Sequence, residues 1–220
     1  MMDPVRRCAR HGFFAGATCP ACDAAGDPVV DGDRRVRLSR FLSGALRHFP
    51  REVGLDLDEA GWTSREAFVD AACRKYDWAD AETVEGVVAT DPKGRFERRE
   101  SRVRAVYGHS VAVDVDRDSG RERTADDETP DRLYHGTAPE NRAAIETEGL
   151  RPMGRREVHL SPSLEEARAV GRRHATDPVV FVVDAAAMRA DGRRVSKRGT
   201  STYTTDAVPP TYLRRVDREG

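Results

Sequence analysis

The sequence predicts an α+β fold in two lobes, preceded by a short metal-binding segment. Three observations support this prediction. Residues 133–184 alternate short apolar strands with short helices, residues 34–110 contain three helical patterns and then a β-hairpin pattern, and the first thirty residues hold a cluster of cysteines and one histidine. The predicted boundaries are a metal-binding segment at 1–30, a first lobe at 31–115, a linker at 116–130 and a second lobe at 131–220.

Composition restricts the partners that the chain can attract. The formal net charge is −1, so any polyanion site must come from a local cluster of positive charge. Lysine occurs only at Lys75, Lys93 and Lys197, and arginine, whose planar fork suits bidentate phosphate contacts, supplies the rest. The sequence has neither an apolar run of about 18 residues nor the apolar core of a signal peptide, which predicts a cytoplasmic protein without a membrane partner.

The N-terminal segment carries paired metal ligands. Cys8 and His11 are separated by two residues, and so are Cys19 and Cys22, a spacing that lets two tight turns direct four side chains at one tetrahedral ion. The pattern predicts a closed structural zinc site, and the alternative is a disordered leader with reactive thiols. A segment this short cannot form its own core, so bound metal would supply its folding free energy. Cys73 lies alone in a helical pattern and is predicted to be buried.

The first lobe begins with an amphipathic helix that has Leu38, Phe41 and Leu42 on one face. The helix must end near His48, because Pro50 disfavours helical backbone at the residue before it. Arg47 and His48 therefore sit together at a helix C-terminus. Two cations there stabilise the helix dipole, which is the alternative to a catalytic role.

The rest of this lobe predicts a helix capped by Thr63 or Ser64, a helix over 81–89 and two strands joined near Arg99 to Ser101. Three helices and a hairpin resemble a winged-helix arrangement, in which the wing and a helix often contact phosphate backbones.

The second strand of the hairpin leads into a Gly-His-Ser sequence. Gly108 permits a positive φ or a close backbone approach, so Arg104 and His109 would flank an anion pocket. The alternative is a solvated basic hairpin with a turn glycine.

The second lobe presents two histidines near strand ends. One predicted strand ends in His135-Gly136-Thr137, and the next ends in His159-Leu160-Ser161, before a helix from Ser163 to about His174. A single polar residue at the end of a buried strand often only marks where the strand ends. Two such ends followed by an arginine-rich helix predict a ligand site.

These motifs together resemble a known family. The segments occur in one order: LSRFLSGALRHFP, GLDLDEAGW, RFERRESRVRAVYGHS, LYHGT, GLRPMGRREVHLS, AVGRRH and AVPPTYL. This series resembles the RNA 2′-phosphotransferase family (Tpt1/KptA) over roughly residues 34–214. The Cys/His segment resembles the zinc-binding extensions of some archaeal members. The resemblance implies an N-terminal winged-helix RNA lobe and a C-terminal NAD-binding lobe with an ADP-ribosyltransferase-like fold.

The resemblance also implies a reaction in two steps. An internal RNA 2′-phosphate, of the kind that tRNA ligation leaves at a splice junction, attacks C1″ of the NAD ribose and expels nicotinamide. The ribose O2″ then attacks that phosphate, which releases repaired RNA and ADP-ribose 1″,2″-cyclic phosphate. The missing G-x-G-x-x-G turn agrees with this, because the NAD lobe of the family is not a Rossmann fold.

The site residues follow from motif positions in the resemblance. It implies that the catalytic residues are Arg47, His48, Arg104 and Arg173, with the adjacent Arg172 left open. It implies that the residues holding the nicotinamide riboside end of NAD are His135, Gly136, Thr137, His159, Leu160 and Ser161, with Arg156 as a further phosphate or NAD contact.

The chemistry suits these residue types. A phosphate nucleophile is already anionic and needs orientation, which arginine forks supply while they balance the charge of the transition state. Proton transfer is needed in the second step, and His48 is the candidate because imidazole titrates near neutral pH. The chemistry requires no metal, so the predicted zinc is structural.

One stretch departs from the family pattern. The family usually has Asn-Gly before the Val-Pro-Pro element, but residues 196–210 read SKRGTSTYTTDAVPP. Thr200 and Ser201 would have to substitute in any NAD contact made there. The polar composition also predicts an edge strand. Charged residues without apolar periodicity at 112–132 predict a flexible connection between the lobes.

The sequence leaves two alternatives open. An ADP-ribosyltransferase that caps terminal phosphates of RNA or DNA would use the same residues without the second step. A non-enzymatic zinc and winged-helix nucleic-acid-binding protein would leave the two histidine-bearing strand ends unexplained.

Overall fold

The computed structural model describes residues 2–115 and 129–216. The chain divides into two compact units, Met1–Ser119 and Gly120–Gly220, each of which combines helices with antiparallel strands. Residues 116–128 of the predicted linker lie outside the described residues. Within the described ranges, no helix is long and apolar enough to span a membrane.

The first unit begins with a small antiparallel sheet. Its strands are β1 (Val5–Cys8), β2 (Gly12–Ala15) and β3 (Asp27–Val30), in the order β2-β1-β3. The chain reverses direction after Cys8 and again between Ala15 and Asp27, and the predicted metal ligands lie in or beside these two connections.

Three helices and a second sheet follow, much as the sequence predicts. The helices are α1 (Gly32–Arg47), α2 (Arg65–Lys75) and α3 (Ala81–Ala89). The sheet has the order β4-β6-β5, with β4 (Thr63–Ser64), β5 (Phe96–Arg99) and β6 (Arg102–Ala105). Each helix starts at a side-chain cap, as the free N–H groups of a first turn require: Asp31, Ser64 and Asp80 accept from backbone N–H groups.

The N-terminal sheet shares its core with the helices. Val5 and Val30 belong to the same apolar cluster as Leu38 and Leu42 of α1. Gly86 of α3 makes this approach close, because a Cβ atom there would lie 3.0 Å from Val5 Cγ1 and 3.2 Å from Phe13 Cδ1.

Arg35 adds a polar link between the same parts of the unit. Its side chain is buried, and it donates to the carbonyl oxygen of Asp3 at 2.7 Å and to that of Thr90 at 2.6 Å. The short N-terminal segment is therefore held by contacts with the helices as well as by its own strands.

Cys73 corrects one sequence prediction. It is exposed on α2, whereas Phe68, Ala71 and Ala72 are buried. The helix repeat of 3.6 residues directs position 73 away from the face that these three side chains bury.

Residues 129–216 of the second unit form two three-stranded antiparallel sheets. One has the order β12-β9-β7, with β7 (Arg132–Thr137), β9 (Val179–Asp184) and β12 (Leu213–Arg215). The other has the order β10-β11-β8, with β8 (Val158–Leu160), β10 (Ser196–Arg198) and β11 (Thr202–Thr205). The helices are α4 (Arg142–Glu148), α5 (Leu164–Gly171) and α6 (Ala185–Ala190).

The edge-strand prediction is wrong, because the strand before the Val-Pro-Pro element is β11, which lies between β10 and β8. Thr204 and Thr205 are almost fully buried despite their hydroxyl groups. Both hydroxyls are satisfied: Thr204 Oγ1 accepts from Arg198 Nε at 3.3 Å, and Thr205 Oγ1 donates to the Ala207 carbonyl at 3.4 Å. A polar strand can therefore occupy a central position when its side chains are paired.

Candidate functional site

The four predicted metal ligands come together in the first unit. The ligand atoms of Cys8, His11, Cys19 and Cys22 all lie within 4.8 Å of one another. Cys8 Sγ is 3.5 Å from His11 Nδ1 and 3.7 Å from Cys22 Sγ. Zinc–sulfur bonds of about 2.3 Å in a tetrahedron require sulfur atoms about 3.8 Å apart, so this donor set fits one zinc ion.

Local backbone also favours the ligand form of Cys8. The N–H groups of Arg10 and His11 direct hydrogen bonds to its sulfur and lower the pKa of Cys8 to about 6. A thiolate is the form of cysteine that coordinates metal. This effect is confined to Cys8, because the pKa of Cys19 is raised: the Ala21 N–H lowers it, but burial and the neighbouring sulfurs of Cys22 and Cys8 together raise it by more.

The end of α1 is joined to the Gly-His-Ser segment by hydrogen bonds. The carbonyl oxygen of Arg47 accepts from the backbone N–H groups of Ser110 at 3.0 Å and Val111 at 3.3 Å. The Ser110 hydroxyl donates to the same oxygen at 3.3 Å and lies 3.0 Å from His48 Nδ1. Gly108 has a φ of 83°, as the sequence predicts, and its turn brings this segment back to the helix.

These contacts hold the ring of His48 in place. When the Ser110 hydroxyl donates to the Arg47 carbonyl, its oxygen accepts the hydrogen of His48 Nδ1. In that tautomer Nε2 is the basic nitrogen of the neutral ring, which is the form that a general base requires. Sequence reasoning missed Ser110 as a positioning residue; the only signal was its place in the Gly-His-Ser motif.

Arg47 is positioned by an aromatic ring that sequence reasoning also missed. Its guanidinium carbon lies 4.6 Å from the centroid of the Tyr107 ring. Stacking of this kind fixes the plane of the guanidinium, so the direction of its N–H groups is set before a ligand arrives.

Arg104 is much more buried than an arginine that only contacts phosphate would be, with 2% of its surface exposed. Its Nε and Nη2 donate to Glu97 Oε2 at 2.8 and 2.7 Å, and its Nη1 donates to the carbonyls of Ala60 and Val115. The guanidinium also lies 4.5 Å from the centroid of the Trp62 ring. In this structure Arg104 therefore links the hairpin to neighbouring segments, and Glu97 occupies the fork on which an anion would bind.

The two histidine-bearing strand ends of the second unit are adjacent. Tyr134 and Ser161 form an antiparallel bridge with backbone hydrogen bonds of 2.9 and 2.8 Å. The bridge places His135 beside His159, and His135 Nδ1 donates to the His159 carbonyl at 3.1 Å. A carbonyl can only accept, so Nδ1 carries the hydrogen and Nε2 is the basic nitrogen.

His135 is held neutral by its surroundings. Burial lowers the pKa of His135, the hydrogen bond to the His159 carbonyl opposes that shift, and the charge of nearby His174 lowers the pKa further. A neutral imidazole suits contact with a ligand that carries positive charge, as the nicotinamide end of NAD does.

Arg155 contacts His159, the second histidine of the adjacent pair His135 and His159. Its Nη1 donates to His159 Nδ1 at 2.8 Å, so the hydrogen of the His159 ring is on Nε2. Arg155 was not among the predicted site residues. The predicted contact residue Arg156 is exposed, and its role stays a prediction.

The other predicted NAD residues have visible structural roles. A Cβ atom on Gly136 would overlap the carbonyl oxygen of Ala167 and lie 3.2 Å from the Gly171 nitrogen, so Gly136 lets α5 lie directly on β7. Thr137 Oγ1 accepts from Asn141 Nδ2 at 3.0 Å, and Leu160 lies in the apolar core of the unit.

Arg172 and Arg173 both follow the last turn of α5 and are exposed. The backbone N–H of Arg172 donates to the Arg168 carbonyl at 2.9 Å, and that of Arg173 donates to the Val170 carbonyl at 3.1 Å. Their positions do not favour one over the other, so the assignment of Arg173 stays a prediction.

Comparison with known proteins adds independent information. The family model described as "RNA 2'-phosphotransferase, Tpt1 / KptA family" matches residues 33–207. The chain is 56% identical over 229 residues to a probable RNA 2′-phosphotransferase of Haloarcula marismortui, covering 99% of this chain and 100% of the relative. It is 42% identical to a probable RNA 2′-phosphotransferase 2 of Archaeoglobus fulgidus, covering 94% of this chain and 91% of the relative. A probable RNA 2′-phosphotransferase of Methanosarcina barkeri is 36% identical, with 95% of this chain and 97% of the relative covered.

Proposed function

The chain belongs to the RNA 2′-phosphotransferase (Tpt1/KptA) family and is an enzyme of that class, and from this premise we propose that it transfers an internal RNA 2′-phosphate to NAD. The observation that carries the proposal is the family match over residues 33–207, which contains every proposed catalytic residue. The proposed substrate is an RNA with the 2′-phosphate of a tRNA splice junction. Its site of action is proposed to be the cytoplasm.

The proposal assigns a role to each unit. The first is proposed to be a winged-helix RNA lobe, which is supported by three helices and the hairpin β5–β6. The second is proposed to be an ADP-ribosyltransferase-like NAD lobe. In support, the adjoining strand ends present His135 as a neutral ring beside His159.

The first step needs orientation of the RNA phosphate. Its oxygen attacks C1″ of the NAD ribose, the bond from C1″ to the nicotinamide nitrogen breaks, and nicotinamide leaves with that electron pair as a neutral molecule. Arg47, whose plane is fixed on Tyr107, and Arg173 are proposed to hold phosphate oxygens. Arg104 is proposed to contribute once the phosphate displaces Glu97 from its fork, and otherwise to position the hairpin.

The second step needs proton transfer. The ribose O2″ attacks phosphorus, its proton passes to Nε2 of His48, and the bond from phosphorus to the RNA 2′-oxygen breaks. The same imidazole then returns a proton to the departing 2′-oxygen. Arginine charge stabilises the extra negative charge on phosphorus in the transition state.

Substitution of Ser110 tests the role of His48. Ser110→Ala removes the hydroxyl that lies 3.0 Å from His48 Nδ1 and holds the ring in place. We expect a fall in kcat that is smaller than the roughly 10²–10⁴-fold contribution of general acid–base catalysis, with an altered pH–rate profile. Ser110→Thr keeps the hydroxyl and should restore most of the rate. An unchanged kcat and pH profile in Ser110→Ala would remove Ser110 from the mechanism.

The Cys/His cluster is proposed to hold a structural zinc ion that supplies folding free energy to the N-terminal sheet. Cys19→Ser should lower both bound zinc and the thermal midpoint, because Val5 and Val30 belong to the core of the first unit. Protein that stays folded should retain its catalytic rate. Cys73→Ser, at an exposed position on α2, is the matched control and should change neither quantity. Loss of catalysis in folded, stable Cys19→Ser would contradict a purely structural role.

The experiment that tests the proposed function compares two RNA substrates of the same sequence, one with an internal 2′-phosphate and one with a terminal 5′-phosphate. NAD-dependent release of nicotinamide with the internal 2′-phosphate alone supports the proposal. Stable ADP-ribosylation of the terminal phosphate would instead favour the capping reaction. No nicotinamide release with either RNA would contradict both.

A further inference from the structure

A row of aromatic rings runs beside the exposed face of α1. Trp78 stacks on Tyr76 with ring centroids 4.9 Å apart, Tyr76 meets Phe41 edge-on at 5.7 Å, and Phe41 lies 6.2 Å from Phe49. Phe41 is buried, whereas Trp78, Tyr76 and Phe49 are partly exposed. The row therefore starts at Trp78 and ends at Phe49, the residue after His48.

Arginines lie along the same side of the helix. Arg37 and Arg40 are exposed and share a helix face with Arg47, because the three positions are separated by three and seven residues. The rise of α1 makes the distance from Arg37 to Arg47 about 15 Å along the helix axis. Arg34 Cζ lies 5.2 Å from the centroid of Trp78, and Arg37 Cζ lies 5.5 Å from that of Tyr76.

The charge of Arg37 and Arg40 is not neutralised locally. Arg34 has a carboxylate partner in Asp31 at 3.6 Å. Over residues 2–115 and 129–216, no ion pair involves Arg37 or Arg40. In a chain with a net charge of −1, this is a local cation-rich surface beside partly exposed rings.

We propose that Arg34, Arg37 and Arg40, with the rings of Tyr76, Trp78 and Phe49, form a track that binds single-stranded RNA flanking the 2′-phosphate. Arginines contact successive phosphates. Because Arg34 and Arg37 lie over Trp78 and Tyr76, unpaired bases stack on these supported guanidinium planes and on the ring of Phe49, which is how proteins bind single strands with little sequence preference. The track ends at Arg47 and His48, so an RNA strand bound along it delivers its 2′-phosphate to those residues. This inference rests on the proposed function.

The competing explanation is that these arginines and rings only stabilise the protein. Arginine over an aromatic ring is a common surface arrangement, and that explanation predicts lower stability and no change in RNA affinity when the arginines are removed. The RNA track predicts unchanged stability and weaker RNA binding when the arginines are removed. The two explanations are therefore separated by measuring thermal stability and RNA binding on the same variants.

The test uses the full-length Arg37→Ala/Arg40→Ala variant and two substrates with the same 2′-phosphate: a trinucleotide, and an oligonucleotide extended on both sides. The kcat/KM for the extended RNA should fall about tenfold or more, because the variant cannot form two charge-assisted hydrogen bonds to phosphates. The kcat/KM for the trinucleotide should stay close to that of the wild type. A change of the same size for both substrates, or for neither, would overturn the proposal.

A matched double substitution controls for the removal of two charges. Arg132→Ala/Arg214→Ala removes two exposed arginines from β7 and β12 of the second unit and should leave both substrates unaffected. If this control lowers the kcat/KM for the extended RNA as much as Arg37→Ala/Arg40→Ala does, the effect comes from the loss of net charge and not from the track.

Binding of the extended RNA without its 2′-phosphate tests the track separately from catalysis. Fluorescence anisotropy measures the affinity. The slope of log affinity against log salt should decrease in magnitude by about 0.7 for each phosphate that the Arg37→Ala/Arg40→Ala variant no longer neutralises. An unchanged slope and affinity would contradict the track. If wild-type protein binds this RNA but removes phosphate from neither substrate, the proposed function fails while the track stands.

Discussion

Arg173→Ala should lower the rate of product formation by about 10²–10³-fold, the cost of removing one group that stabilises transition-state charge. The side chain is exposed just after α5, so its removal should leave the thermal midpoint unchanged. The measurement is the single-turnover rate of phosphate transfer with saturating NAD. A loss confined to this rate, without a change in stability, identifies a residue that acts on the chemistry.

Arg172→Ala provides the matched control, since the neighbouring side chain is also exposed and carries the same charge. It should retain most of the activity. If Arg172→Ala is inactive and Arg173→Ala is fully active, the catalytic arginine is Arg172 and the motif alignment is wrong by one position. Activity in both variants would exclude this segment from the phosphate site.

Gly136→Ala should destabilise the second unit severely. The added methyl would overlap the carbonyl oxygen of Ala167, so the backbone of α5 or of β7 would have to shift. Overpacking typically costs about 1–3 kcal/mol, and overlap with backbone places this substitution at the upper end or beyond. We expect a large drop in the denaturant midpoint for the second unit and loss of activity.

Gly154→Ala is the control for this substitution. No atom lies within 4 Å of a Cβ built on Gly154, and its backbone does not need positive φ, so its stability should match that of the wild type. Wild-type stability in Gly136→Ala would show that α5 does not pack directly on β7. Normal stability with a raised KM for NAD would instead support a direct NAD contact at Gly136.

Much of the fold follows from local patterns in the sequence. The helix at 81–89 has the predicted bounds, Ser64 caps α2, and β5 and β6 meet at the predicted turn. These features depend on neighbouring residues, because caps, turns and apolar periodicity are set within a few positions. The grouping of Cys8, His11, Cys19 and Cys22 was also predictable, since paired spacings carry the geometry of a tetrahedral ion.

Other features depend on contacts between distant segments and could not be predicted. The orientation of His48 depends on Ser110, which is 62 positions away. The burial of β11 depends on Arg198 and the backbone of Ala207 pairing its threonines. The close approach at Gly136 depends on α5, whereas the His135-Gly136-Thr137 motif indicated this residue as an NAD contact. A sequence pattern identifies such residues but does not say which neighbour they contact.

Transfer of an RNA 2′-phosphate to NAD is tested by following the fate of one labelled phosphate. A short RNA with a single labelled internal 2′-phosphate is incubated with the purified protein, with and without NAD, and the products are identified by mass spectrometry. Only the reaction with NAD should yield unmodified RNA, nicotinamide and the label in ADP-ribose 1″,2″-cyclic phosphate. Label that stays on the RNA, or that leaves as free phosphate without NAD, would contradict transfer to NAD.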